Sequence, residues 1–455
     1  MSHDHVAPAR RAAFEVLRRT FEHGAWADRA LPAAVARHRL EGRDRALAQR
    51  LAYGAIQRRG TLDHVIAELA GRPAEAIDAP LLAALRLGVY ELLFASRTPD
   101  HAAVDQAVEL AKRAGSGPGR GAGLVNAVLR RVARERTRLL AGLSDATPAD
   151  AAIALSHPAW LSEMWWEELG PNAARSLMAA DNEPAETALR VNALRAQPDS
   201  VLRELADAGV AVKRPGASPA PPESVVVAGP ISTVVADRIE AGVLVPQSRA
   251  SASVVGFLDP RPGERVLDLC AGPGIKTTQI AARMRNQGEV VAVEVDRGRA
   301  SELRELCARL GAERVRVVEA DAARDDLGDG YDRVLVDPPC SDLGTLASRP
   351  DARWRKSPQG IADLVRVQLE ILTRGIEALH PGGRLVYSTC TISRRENEAQ
   401  VSGALDGSGA ALVVDELGSD QPALASPHDP RFIQTRPDRD HTDGFFIARL
   451  RRVER

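Results

Sequence analysis

Apolar positions recur every three to four residues from residue 8 to about residue 138. Ala13, Val16 and Leu17 recur at helical spacing, and so do Leu47, Leu51, Tyr53 and Ile56 on a second segment. LLAALRLGVYELLF (81–94) is apolar nearly all round, which predicts a buried central helix. GSGPGRG (115–121) breaks the pattern before LVNAVLRRVARERTRLL, a basic last helix of a helical bundle. From about 145 to 245 the signal is mixed. SHPAWLSEMWWEELG predicts a short helix, TALRVNAL a strand, and DSVLRELADAGV a helix closed by Gly209. The Pro-rich stretch AVKRPGASPAPPESVVVAG leads into a further strand, so a small α/β module is expected. From 259 the pattern alternates. Apolar runs at 265–269, 289–295, 314–320, 332–337 and 383–389 are separated by helical segments at 276–286, 299–310 and 359–380. Strands that are apolar throughout, alternating with helices, predict a doubly wound parallel sheet. GFFIARLRR (444–452) reads as a last edge strand.

Length agrees with several domains, since 455 residues exceed the usual ~150 per domain. No run approaches the ~20 apolar residues of a membrane span, and the N-terminus has no secretory pattern. Four cysteines, at 270, 307, 340 and 390, form no disulfide framework and no C-x-x-C zinc pair. A reducing, cytoplasmic setting without membrane or metal is expected. The net charge is -1, but it is unevenly spread. Residues 1–138 carry 23 basic against 15 acidic side chains, a net +8. A basic N-terminal third suggests a polyanionic partner.

Ligands of such sheets bind at the carboxyl ends of the strands. The first strand runs into Cys270-Ala271-Gly272-Pro273-Gly274-Ile275-Lys276-Thr277. The glycines allow close backbone approach, and the helix that follows offers N–H groups to an anion. A dinucleotide fingerprint would require glycine where Thr277 stands. That disfavours NAD and leaves a small nucleoside such as S-adenosylmethionine, whose carboxylate suits the loop. Glu294 ends the second strand, where an acid grips ribose hydroxyls. Asp321 ends the third, suited to an adenine amino group. The fourth strand ends Asp337-Pro338-Pro339-Cys340 and the fifth Ser388-Thr389-Cys390. Two cysteines therefore close neighbouring strands beside the presumed ligand, whereas Cys307, mid-helix, reads as core.

DLCAGPGIKTT (268–278), DPPCS (337–341), RPDARWR (349–355), STCTISRRENE (388–398) and HTDGFFIARL (441–450) together carry a resemblance. The chain resembles, over essentially its whole length, bacterial ribosomal RNA cytosine-carbon-5 methyltransferases of the Fmu/Sun type. The resemblance implies a NusB-like RNA-binding helical domain (1–140) and a small ferredoxin-like or RRM-like linker domain (141–245). It implies a Rossmann-like class I methyltransferase domain at 246–455. It also implies contacts to S-adenosylmethionine from Cys270, Ala271, Gly272, Pro273, Gly274, Ile275, Lys276, Glu294, Asp321 and Asp337, with Cys390 as nucleophile. The substrate implied is RNA, 16S ribosomal RNA in particular, read at a single-stranded or looped cytosine by a monomeric enzyme. Ile275 stands where a second glycine is usual, Glu294 where aspartate is usual, and PQSRAS (246–251) departs from an acidic variant.

Carbon 5 of cytosine becomes nucleophilic once carbon 6 is attacked covalently. A thiol suits that attack, being intrinsically nucleophilic and partly ionised near neutrality. Cys390 is assigned the attack and Cys340 the release step. Asp337, protonated or acting through Lys276, is assigned to nitrogen 3. Lys276 reads equally well as a loop-stabilising ion pair. The base must leave its stack to reach such a crevice. Arg349, Arg353, Arg355 and Lys356 are expected to hold phosphates, while Trp354 among them packs or stacks. Three rival readings differ in observable ways. A DNA-type cytosine enzyme would attack through Cys340, and an amino-group methyltransferase would have Tyr or Phe at 340. A non-catalytic RNA-binding factor would not need the loop and both cysteines.

Overall fold

A computed structural model describes residues 6–95, 98–114, 121–213, 220–229, 231–408 and 411–453. Most of the Gly-rich break (115–120) and part of the Pro-rich stretch (214–219) lie outside the described residues. Two compact units result, Met1–Pro184 with Leu346–Arg355, and Ala185–Thr345 with Lys356–Arg455. Among the described residues no helix is long and apolar enough to cross a membrane.

The first unit is helical throughout. Ala79–Phe94 is its central helix, with every residue from Leu81 to Leu92 buried, as its all-round apolar pattern predicts. Burying so complete a helix brings in polar groups that need partners. Arg86 meets Asp63 at 2.7 and 2.8 Å, and Glu91 meets Arg10 at 2.7 Å. Close packing also demands small residues: a Cβ on Gly54 would stand 2.1 Å from the Tyr90 ring. The last long helix of the bundle, Ala122–Ala141, is basic, and three of its arginines pair with acids. Arg131 pairs with Glu135, Arg136 with Asp100, and Arg138 with Glu68 and Glu135.

The second unit contains two sheets. Strands β1 (Thr187–Val191), β2 (Val212–Lys213), β3 (Ser224–Val227) and β4 (Leu244–Pro246) form an antiparallel sheet in the order β2-β3-β1-β4. Strands β5 (Arg265–Asp268), β6 (Glu289–Glu294), β7 (Val315–Glu319), β8 (Tyr331–Val336), β9 (Leu379–Thr389), β10 (Leu412–Val414), β11 (Ile433–Gln434) and β12 (Phe446–Arg452) form the larger one. Its order is β10-β12-β9-β8-β5-β6-β7, with β11 also on β12. The run from β9 to β7 is parallel, and the order reverses between β5 and β8, which opens a crevice there. The sheet is mixed, and β12 is not its edge. β12 runs antiparallel between β9 and β10. The three-residue β10 that covers it is too short to leave a pattern in the sequence.

Polar contacts fasten the small sheet to the helix after β5. Arg190 on β1 is 1% exposed and donates to Gln247 Oε1 at 2.7 Å and Thr278 Oγ1 at 3.2 Å. Glu223 accepts from Gln279 and Arg283 at 3.0 and 2.9 Å.

Within the basic stretch 349–355, Arg353, expected to hold phosphate, is instead a buried anchor. The stretch belongs to the first unit, and Arg353 is 0% exposed. Its guanidinium donates to the carbonyls of Ser156 and Asp181 at 3.1 and 2.8 Å and to Asn182 Oδ1 at 2.9 Å. Trp354 packs on the bundle core and donates to the Ile56 carbonyl at 2.8 Å. Arg355 is held by Asp351 at 2.7 Å and by the Gly24 carbonyl at 2.9 Å. The reason is stereochemical, because a rigid five-donor fork satisfies several carbonyls at helix ends at once. Arg353→Ala leaves those buried acceptors unpaired, at ~1–3 kcal/mol each. It is therefore expected to lower the stability of the first unit by about 3 kcal/mol or more, read by denaturant unfolding. An unchanged midpoint contradicts the anchoring role.

Candidate active site

Asp268, the last residue of β5, is buried, and its Oδ2 accepts from Thr277 Oγ1 at 2.7 Å. Burial pushes its carboxyl up to about 7, against the Thr277 hydrogen bond. The loop then turns through Gly272 and Gly274 into the helix Ile275–Arg283. Gly274 has φ +107°, a conformation open to glycine, and a Cβ there would stand 2.4 Å from Leu303. At Gly272 a Cβ would stand 2.2 Å from Glu294 Oε2. The loop lies flat on the acid of β6.

Glu294 is correspondingly well held. Its carboxylate accepts from the N–H groups of Gly272 at 3.1 Å and Asp296 at 2.8 Å, and pairs with Arg299 at 2.8 Å. Asp321 follows β7 and is more open, its Oδ1 taking the Ala323 N–H at 3.0 Å. On the other side of β5, Asp337 follows β8. Lys276 Nζ lies 2.6 Å from Asp337 Oδ2 and 5.0 Å from the Phe445 ring centre, while Ser388 Oγ donates to Asp337 Oδ1 at 3.0 Å. Burial works against the charge on Lys276, but the Asp337 carboxylate outweighs it and raises the ammonium's pKa. Lys276 is thus a charged ion-pair partner of Asp337 that also lies over the Phe445 ring.

The two cysteines do come together. Cys340 Sγ and Cys390 Sγ are 3.3 Å apart. Cys340 is 8% exposed, and Cys390 is more open. Cys390 Sγ donates to Asp342 Oδ1 at 3.2 Å, and Lys356 Nζ reaches Asp342 Oδ2 at 3.1 Å and the Cys340 carbonyl at 3.2 Å. The Cys340 thiol, burial, and the carboxylates of Asp342 and Asp337 hold Cys390 protonated well above the ordinary thiol range.

Beneath the thiols, Glu396 ties the two cysteine loops together. Its oxygens accept from the Ser341 N–H at 2.9 Å, Ser341 Oγ at 2.6 Å and Gln368 Nε2 at 3.1 Å. Ser341 Oγ also meets Thr391 Oγ1 at 2.6 Å. Asn397 accepts from Thr389 Oγ1 at 2.6 Å and donates to the Thr391 carbonyl at 3.1 Å. Asp342, Lys356, Glu396 and Asn397 went unassigned in the sequence or were assigned elsewhere. Glu396 and Asn397 sit inside STCTISRRENE, whose density of polar residues right after a buried strand is the available signal. A cavity of about 400 Å³ bordered by Leu267, Asp326, Asp329, Arg374 and Glu377 is lined by none of these groups.

The Rossmann-like domain, with a Gly-rich loop after its first strand and acids at the ends of the next strands, has the form of a class I methyltransferase. Within that class, residues 255–451 match the family of 16S rRNA methyltransferases RsmB/F. Residues 7–134 match the NusB family, and 157–233 the ferredoxin-like domain of RsmF/B-like methyltransferases. The chain is 36% identical over 471 residues to the putative methyltransferase MT1451 of Mycobacterium tuberculosis, covering 98% of this chain and 97% of that one. It is 32% identical to the probable ribosomal RNA small subunit methyltransferase B of Synechocystis, covering 98% and 99%. The crystal structure of PH0851 superposes with a TM-score of 0.80 at 28% identity, covering 98% of this chain and 99% of that one. The chain belongs to the RsmB/F family of rRNA methyltransferases.

Asp268 has a consequence for stability. Unfolded, its carboxyl ionises near ~3.9, whereas folded it holds its proton to about 7. Its contribution is complete below the unfolded value and is lost as pH rises toward 7, by up to ~4 kcal/mol. Asp268→Asn is expected to flatten the decline in stability between pH 4 and 7, read from denaturant midpoints. An unaltered slope contradicts the buried, protonated carboxyl.

Proposed function

We propose that the protein transfers a methyl group from S-adenosylmethionine to carbon 5 of a looped or unpaired cytosine in 16S ribosomal RNA. The observation that carries this reading is the pair of thiols 3.3 Å apart at the ends of adjacent strands, next to the Lys276–Asp337 pair. The reading includes a cytoplasmic, monomeric enzyme that uses no metal. Residues 1–140 serve as its RNA-binding domain, 141–245 as its linker and 246–455 as its transfer domain.

The residues present suit the cofactor. Loop 270–276 supplies close backbone approach and helix N–H groups for a carboxylate. Glu294, Asp321 and Asp337 supply acceptors for ribose, adenine and the reacting end. Asp268 Oδ1 adds a buried acceptor without a hydrogen-bond partner below that loop. S-adenosylmethionine brings the electrophilic methyl group when bound. Cys390 attacks carbon 6 of the base, so that carbon 5 gains electron density. Lys276, fixed by Asp337, donates a hydrogen bond toward nitrogen 3, where the displaced electron pair accumulates. Cys340 takes the proton from carbon 5, the C5=C6 bond re-forms and Cys390 leaves. The greater exposure of Cys390 supports this division over the DNA-type alternative, in which Cys340 attacks.

Two experiments test the reading. Cys390→Ser is expected to abolish methylation with no covalent species, whereas Cys340→Ser attacks and stalls. The stalled species is an RNA-shifted protein band on denaturing gels, resistant to heat. A band in Cys390→Ser and none in Cys340→Ser reverses the roles. For the cofactor, Glu294→Ala removes one or two charge-assisted hydrogen bonds of ~1.5–3 kcal/mol each. S-adenosylmethionine affinity is then expected to fall at least about tenfold by calorimetry. Unchanged affinity takes Glu294 out of the site.

A further inference from the structure

We infer that Asp342 is the base that takes the proton from Cys390 as the thiol attacks, with Lys356 holding the carboxylate in place. The inference rests on the reading of Cys390 as nucleophile. Asp342 stands two residues after Cys340, in the turn closed by the Thr345 N–H on the Asp342 carbonyl at 3.0 Å. Its φ is +59°, a left-handed conformation that glycine adopts freely and an L residue at some cost. The conformation directs the carboxylate to two partners. Oδ1 takes the Cys390 thiol at 3.2 Å, and Oδ2 takes the Lys356 ammonium at 3.1 Å.

The other groups facing Cys390 are less suited to accept its proton. Cys340 is itself a thiol, and both Asp337 oxygens are taken by Lys276 and Ser388, whereas Asp342 keeps one oxygen on the Cys390 thiol. Sγ of Cys340 and Cys390 and an Asp342 oxygen lie within 4.8 Å of one another, close enough for a metal ion. Lys356, however, already puts a positive charge on that carboxylate. A thiol held protonated by its surroundings needs an acceptor within hydrogen-bond reach, and Asp342 is within it.

The step balances. The Cys390 proton passes to Asp342 Oδ1 while the sulfur pair forms the bond to carbon 6. The C5=C6 pair moves to C4=C5, and the C4=N3 pair moves onto nitrogen 3. After methyl transfer, Cys340, having given its own proton to solvent, takes the proton from carbon 5. The C5=C6 bond re-forms, the bond to sulfur breaks, and Cys390 leaves as a thiolate that recovers its proton from Asp342. One proton is released per methyl transferred.

The test is the rate of adduct formation in the Cys340→Ser protein, where the adduct accumulates, with and without Asp342→Asn, between pH 6 and 9. Asp342→Asn is expected to slow the adduct about 100-fold or more at pH 7, the size of a general-base contribution. The deficit should shrink as pH rises and hydroxide ionises the thiol directly, while S-adenosylmethionine affinity stays unchanged. Asp342→Gly, which relaxes the backbone and removes the carboxylate, should behave the same way. Equal rates and equal pH profiles with and without the carboxylate overturn the inference. Absence of adduct with Asp342 intact instead overturns the assignment of Cys390 as nucleophile.

Discussion

The parallel pairing of β8 with β9 sets the site. Val336, the last residue of β8, stands opposite Tyr387, two residues before β9 ends at Thr389, which brings the following loops side by side. Asp337 then lies beside Ser388, and Cys340 beside Cys390. A slip of one residue would turn every alternate side chain to the opposite face and separate the thiols. The register is defended beyond the strands. Glu396 bridges the loops from below, and Tyr387 donates to the Glu396 carbonyl at 2.7 Å. Gly344 and Gly444 approach so closely that a Cβ on Gly344 would stand 1.9 Å from the Gly444 carbonyl oxygen. The Gly344 N–H in turn holds the Cys390 carbonyl at 3.0 Å.

Charge at the crevice follows from burial. Asp268, Cys270 and Cys390 are all pushed toward their protonated forms, with burial the first cause for Asp268 and Cys270 and the Cys340 thiol the first for Cys390. The countercharges of Asp337 and Asp342 are lysines, although the chain has only four of them, at 112, 213, 276 and 356. Two of the four sit on Asp337 and Asp342. An ammonium is a compact charge on a flexible stem and fits a narrow crevice. The buried arginines do different work. Arg86, Arg190 and Arg353 each use a planar fork to satisfy several fixed acceptors inside the protein.

Several elements were legible because the signal is local. The all-round apolar run 81–94 had to be buried, and the apolar strands alternating with helices had to form a wound sheet. Cysteines right after two such strands had to reach the ligand-binding edge. What escaped was carried by elements too short to show a period, or by side chains whose partners are distant in sequence. The three-residue β10 turned an expected edge strand into an internal one. RPDARWR looked like a phosphate-binding patch because its basic residues are adjacent, yet Arg353 finds its acceptors at 156, 181 and 182.

The sequence by itself therefore determined the order of most elements, the Gly-rich loop after β5 and the two thiols at strand ends, since each is encoded in adjacent or periodic residues. The tertiary structure decided which charges are surface and which are anchors, and which group faces the Cys390 thiol. Those choices depend on burial and on contacts across 48 to 197 residues of chain. Such distances are set when strands take their register and helices their neighbours, and no local pattern records them.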